Sequence, residues 1–164
     1  MRRQDREVTD LAELGAILQA CKTCHLAMID AGRPYVVPLS YGYTLVEGQL
    51  TLYFHSAKEG RKIEVLRENA DVCFEMSTEG VAAFAQESPC NSGYFFSSII
   101  GFGRALFVHE VEEKCEALTL LMRHQAGIET RFTAAQADPV CVFKVVAHSF
   151  TGKTKPMPGG RGGA

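Results

Sequence analysis

LTLYFHSAKEGRKIEVLREN, residues 50–69, decides the fold. Its first half alternates Leu50, Leu52 and Phe54 with Thr51 and Tyr53. That period of two in β-forming residues predicts a strand with one buried face. The second half changes period, and Ile63, Val65 and Leu66 supply the apolar stripe of a helix. Between the two halves, Ser56 stands three residues before Glu59. This is capping-box spacing, so Ser56 is the predicted N-cap.

The polar face of that helix carries Lys58, Arg61 and Lys62 at i, i+3 and i+4, around its first turn. Cations have the wrong sign there, because a helix N-terminus presents partial positive charge and unpaired N–H groups. An anion among them removes the conflict. Phosphate suits both the free N–H groups and the arginine fork. The alternative is a solvated basic face with Glu59 and Glu64 as local partners.

Upstream, Asp10 and Glu13 repeat the capping-box pattern. Thr9 or Asp10 starts a helix whose one apolar face is Leu11, Leu14, Ile17 and Leu18 and which ends near Cys21. Residues 25–29 and 34–41 read as strands joined by a turn in which Gly32 takes a positive φ. Residues 43–46 and 49–54 form a second hairpin about Glu47 and Gly48. Downstream, 71–77 is a strand, 79–86 a short helix or loop, and 94–109 a long β-rich stretch interrupted by Gly101 and Gly103. Glycines inside a strand point to a bulge or a close approach. Residues 110–125 form a helix, 133–137 a loop or short helix, and 140–150 the last strand.

About six or seven strands in mostly hairpin order, with three helices, argue against a doubly wound parallel sheet. The predicted class is mainly β (α+β): a closed antiparallel barrel of about six strands with helices outside. One domain over 1–154 is expected, followed by a disordered Pro/Gly-rich tail at 155–164.

At 164 residues the chain can bury a substantial core. A formal net charge of −2 gives no electrostatic case for nucleic acid or an anionic membrane. No apolar run is long enough to span a bilayer. MRRQDREVTD is too polar and too acidic for a signal peptide, so a cytoplasmic protein with reduced cysteines is expected.

Cys21-Lys22-Thr23-Cys24-His25 matches the haem c attachment pattern, but no export signal accompanies it. No second C-x-x-C or H-x-x-x-H supports zinc, and two partly buried cysteines near a turn explain the pattern. Gly101-Phe102-Gly103 lacks the third glycine of a dinucleotide fingerprint and reads as a bulged strand. His124, late in a helix, reads as a structural cation at the dipole's negative end. Pro38 within 34–41 cannot donate to a ladder, so that strand lies at an edge or is bulged. Its free backbone groups suit a planar heterocycle, and an ordinary edge strand is the alternative. Tyr94, Phe95 and Phe96 before Ser97 and Ser98 read either as a pocket wall with two hydroxyls or as core.

YVVPLSYGY, LYFHSAKEGRKIEVL with VCFE after it, and SSIIGFGRA with a helix and HQ after it occur in fixed order. Together they resemble the FMN-binding split barrels related to pyridoxamine 5′-phosphate oxidase, most closely the nitroimidazole-resistance branch. The resemblance implies a homodimer with FMN at its interface. By position, Arg61 and Lys62 would hold the phosphate, with Lys58 beside them. Val37, Pro38, Leu39, Ser40 and Tyr41 would run along the isoalloxazine ring. His55 and Ser56 would sit beside the flavin, and Ala57 would leave room for it. Ser97 and Ser98 would approach from the partner subunit. The activity implied is transfer of electrons to a small electron-poor acceptor such as a nitroaromatic, with His55 as proton donor. The rival reading is a binder of FMN or haem without turnover, with His55 or His148 as haem ligand. No basic set for a second phosphate is present, so oxidation of pyridoxamine phosphate is not expected.

Overall fold

A computed structural model describes residues 3–84, 90 and 92–156. A 3-10 turn at Gln4–Arg6 leads into β1 (Glu7–Val8) and helix α1 (Leu11–Ala20). Four strands follow: β2 (Thr23–Asp30), β3 (Arg33–Ser40), β4 (Gly42–Val46) and β5 (Gln49–Ser56). Helix α2 (Arg61–Glu68), β6 (Asp71–Ser77), β7 (Val81–Ala83) and the long β8 (Gly93–Val108) come next. Helices α3 (Val111–Ala126) and α4 (Ala134–Ala137) precede β9 (Cys141–Lys155).

The strands form one antiparallel sheet in the order β3-β2-β6-β8-β9-β5-β4, with β1 added to β9 and β7 to β8. Nine strands are present among the described residues rather than about six, because β1 and β7 are short pieces with little period of their own. The predicted closure does not occur: β3 and β4 are the two ends of the path. Pro34 and Pro38 lie on β3 and have no N–H to give a second neighbour, which keeps β3 at the edge as expected. The barrel is therefore split between β3 and β4, with Tyr41 alone joining them.

Period-two burial fills the interior. Leu50, Leu52, Phe54 and Ser56 of β5 point in, beside Leu26, Phe74 and Phe143. Phe54 and Phe143 stack at 5.1 Å. A smaller cluster of Val108, Ala117, Leu118, Ala137 and Val142 seats α3 and α4 on the outside. The glycine bulge is present, with the β8–β9 register shifting between Phe102 and Gly103. A Cβ on Gly101 would meet the Phe74 ring at 2.3 Å, and one on Gly103 the Val146 carbonyl at 2.5 Å.

One sequence expectation fails at the strand-to-helix junction. Ser56 does not cap α2. It pairs with Cys141 as the last residue of β5, and its buried hydroxyl donates to the Ala57 carbonyl. Pairing with β9 carries the strand past the local capping signal. The N-cap is Gly60, at φ 129°, a conformation open to glycine alone at little cost. Residues 81–83 are strand rather than helix, and 85–89 lie outside the described residues. Lys155 ends β9 and so is not tail. Of the predicted tail, 157–164 lie outside the described residues.

Gly42 lets α3 sit directly on β4, since a Cβ there would lie 2.5 Å from the Leu121 nitrogen. Gly42→Ala is expected to lose about 1–3 kcal/mol or more in urea denaturation through overpacking against backbone. Gly15→Ala, inside α1 with nothing within 4 Å, is the control. It is expected to gain up to about 1 kcal/mol from helix propensity.

Candidate functional site

Helix α2 closes the end of the barrel where β5 stops and β6 begins. Ile63, Val65 and Leu66 are buried beneath it, so its first turn is fixed at that rim. The Gly60 carbonyl accepts from the Ile63 and Glu64 N–H groups at 2.9 and 3.2 Å. The N–H groups of Arg61 and Lys62 belong to the first turn, where the helical ladder offers them no acceptor.

The three cations of this stretch take separate positions. Arg61 donates to Asp30 at 2.6 Å, and its guanidinium lies over the Tyr35 ring at 4.6 Å. Lys58, before the helix, reaches Asp138 at 3.6 Å. Lys62 is half-buried and makes no ion pair among the described residues. The partners are thus Asp30 and Asp138, far away in sequence, not Glu59 or Glu64. Exposed pairs of this type contribute about 0–1 kcal/mol, so an incoming phosphate can compete for Arg61.

His55 ends the outward row of β5. Surrounding protein and the nearby Lys62 ammonium, in that order, pull its pKa below the ordinary histidine value. The ring is neutral at pH 7, with one N–H and one lone pair to offer. Ala57 is exposed beside it.

On β3, Val37 and Leu39 lean against the core, while Pro38 and Ser40 face outward. Among the described residues, the side of β3 away from β2 has no strand. Tyr41 is different. Its ring is fully buried, and its hydroxyl donates to the carbonyls of Leu18 at 2.8 Å and Cys21 at 3.1 Å. Only its backbone is left for a ligand, and its carbonyl already accepts from Gln125. The contact between Arg61 and Tyr35 brings β3 and the start of α2 together.

Ser97 and Ser98 lie elsewhere in the same chain. The Ser97 hydroxyl shares a hydrogen bond with Thr154 at 2.7 Å, and Ser98 pairs with Ser77 and Lys153. At about 3.3 Å per residue, Ser98 stands on the order of 30 Å along β8 from the α2 end. His148 is exposed on β9. The C-x-x-C-H residues split up: Cys21 and Cys24 are core thiols, and His25 faces out toward Glu75 at 3.1 Å. Burial pushes the Cys21 thiol up to about 11 and Cys24 further, so both stay protonated.

Sequence reasoning missed one polar network. His124 is buried, and its Nε2–H donates to the Cys21 carbonyl at 2.9 Å. Lys22 donates to the His124 carbonyl at 2.6 Å, and Gln125 donates to the carbonyls of Lys22 and Tyr41. These bonds tie the end of α3 to the α1–β2 turn and the split of the barrel. Burial and the Lys22 ammonium lower the His124 pKa, so it is structural as expected but neutral, not a dipole-stabilised cation. Its Nδ1 is buried without a partner among the described residues.

An open antiparallel barrel with a cationic helix start at its rim is the split-barrel class. The chain belongs to the pyridoxamine 5′-phosphate oxidase family, whose model matches residues 10–154. A proposed 5-nitroimidazole antibiotic resistance protein from Bacteroides thetaiotaomicron VPI-5482 superposes with a TM-score of 0.78 at 31% identity, over 90% of this chain and 86% of that one. The flavocytochrome Anf3 from Azotobacter vinelandii gives 0.76 at 23% identity, over 96% and 73%. An FAD and haem binding protein from Mycobacterium smegmatis gives 0.73 at 17%, over 92% and 73%. The last two establish the fold alone. A search of curated proteins found none that matches. No helix among the described residues is long and apolar enough to cross a membrane.

The buried neutral His124 predicts a pH dependence. Its folded pKa lies below the unfolded value near 6.5, so the unfolded chain binds more protons as pH drops. Stability is full above about pH 6.5 and falls as pH descends through the folded value. Urea midpoints at pH 7.5 and 5.5 are expected to differ less in His124→Gln than in wild type. His55 shifts in the same direction and supplies the residual slope.

Proposed function

We propose that this chain is a flavin-dependent oxidoreductase that binds FMN at the β3–α2 rim and works as a homodimer on small electron-poor acceptors. One observation carries the reading. The guanidinium of Arg61, at the start of α2, lies 4.6 Å over Tyr35 of the open edge strand. A cationic helix start and the open edge of β3 are thereby adjacent, as a phosphate and a flavin ring would need.

The residues fit such a cofactor. Arg61, Lys62 and their N–H groups would hold the phosphate, with Lys58 close in sequence. The backbone from Val37 through Tyr41 would face the ring, with Pro38 and Ser40 outward. Exposed Ala57 leaves space, and Ser56 fixes the turn through its bond to Ala57. When bound, FMN supplies the redox chemistry: it takes electrons from a reductant and passes them to the acceptor. The chain binds, orients and shields. His55, neutral at pH 7, would hydrogen-bond the acceptor, and it becomes a proton donor only in acid. A nitroimidazole-like acceptor is favoured by the resistance protein at 31% identity.

The homodimer rests on the outer sheet face. Val36, Ala27, Cys73 and Phe102 stand in register across β3, β2, β6 and β8. Val36 is 52% exposed, and Phe102 58%. The His25–Glu75 hydrogen bond and the Arg104–Asp71 ion pair flank this row. A second copy would bury the row and bring its own Ser97 and Ser98 toward this subunit's cofactor.

Fluorescence titration with FMN is expected to show Lys62→Gln and Arg61→Gln each weakening binding about tenfold or more, roughly one charge-assisted phosphate contact each. Unchanged affinity in both would place the phosphate elsewhere. Phe102→Glu is expected to shift the sedimentation coefficient from dimer to monomer. An unaltered coefficient would move the interface off this face.

A further inference from the structure

A second cationic site lies on the far flank of α2. Arg67, Lys58, His109 and Lys114 converge on a cleft of about 490 Å³, with Phe107 and Cys141 among its walls. None of its lining side chains is acidic, in a chain whose formal net charge is −2. Four elements supply these groups: the 57–60 loop, α2, the end of β8 and α3.

The cations are poorly matched by protein. Arg67 lies over the Phe107 ring at 5.7 Å, and neither it nor half-buried Lys114 has an ion pair among the described residues. Glu113, next to Lys114, is taken by Lys144. Asp138 is the nearby carboxylate: it pairs with Lys58 and faces the adjoining hollow that shares His109 and Lys114. The positive fields of Arg67, Lys114 and Lys62 all act on the Cys141 thiol, which stays protonated because burial outweighs them. Holding uncompensated cations around one partly buried concavity costs free energy that an anion there would return.

We infer that this cleft is a second anion site, built for a phosphate-bearing small molecule whose apolar part lies against Phe107. Its volume is in the range of small-molecule sites. Arg61 does not line it, although Lys58 does and the Lys62 charge reaches its Cys141 wall. The inference stands apart from the flavin reading, because it rests on Arg67 and Lys114, to which that reading gives no part.

Inorganic pyrophosphate is the simplest probe. Calorimetric titration would be run on the full chain as purified and again after saturation with FMN. Binding is expected in both states, falling with added salt. With the rim filled by saturating FMN, Arg67→Gln and Lys114→Gln are expected to weaken it at least fivefold each, while Arg61→Gln, brought to saturation at a higher FMN concentration, leaves it within twofold. Circular dichroism melts would confirm that the substitutions leave the fold intact. Arg67→Lys, which keeps the charge, is expected to restore most of the affinity. Three results would overturn the inference: no heat of binding at millimolar pyrophosphate, loss of binding on FMN saturation, or loss in Arg61→Gln with retention in Arg67→Gln and Lys114→Gln.

Discussion

The ladder between β8 and β9 is the constraint on which the rest depends. It runs from Phe96 paired with Lys155 to Val108 paired with Val142, with one bulge. β6 attaches to β8, and β5 to β9, so both halves of the barrel hang on this pair. The bulge needs Gly101 and Gly103, because Phe74 and the Val146 carbonyl occupy the space a Cβ would take. The same ladder delivers Cys141 and Val142 to the barrel end, where they pair with Ser56 and His55 and hold the last turn of β5 straight.

That end brings Lys58, Arg61, Lys62, Arg67 and Lys114 close to one short helix. Helix α2 covers the barrel with Ile63, Val65 and Leu66, and this leaves Arg61 toward Asp30 and Tyr35 on one flank and Arg67 toward Phe107 on the other, with Lys62 acting on His55 and Cys141 between them. The first flank meets the open edge of β3. The second meets α3 and the end of β8. One short helix, fixed by its apolar face, thus lays out two cationic sites of different character. The first has unpaired N–H groups and a neighbouring strand edge, and the second has side-chain charge and an aromatic wall.

The fold was largely legible in the sequence because local patterns encode it. Alternation in 50–56 and 71–77, Glu47–Gly48 and Gly32 at turns, and the Asp10 cap all appear where the residues put them. What stayed hidden depends on distant partners. Ser56 and Glu59 have capping spacing, yet β9 extends the strand through Ser56 and Gly60 takes over the cap. Arg61 finds Asp30 across 31 residues, and His124 finds Cys21 across 103. No periodicity announces such bonds. The split barrel implied by the resemblance holds, while the strand pattern alone reads as closed, because alternation marks strands but does not say whether β3 meets β4. The rim residues from 55 to 62 were legible as a group, because a strand end and a helix start are adjacent in sequence. Ser97 and Ser98 share no site with them in one chain.

The central claim is that the rim of this barrel holds a flavin. The most direct measurement is the visible absorption and fluorescence of the freshly purified protein, followed by acid release of any ligand and chromatography of the extract. The account predicts a yellow protein whose extract is fluorescent and co-elutes with FMN. A Soret band with no flavin in the extract, or a colourless protein that also fails to take up added FMN, would contradict it.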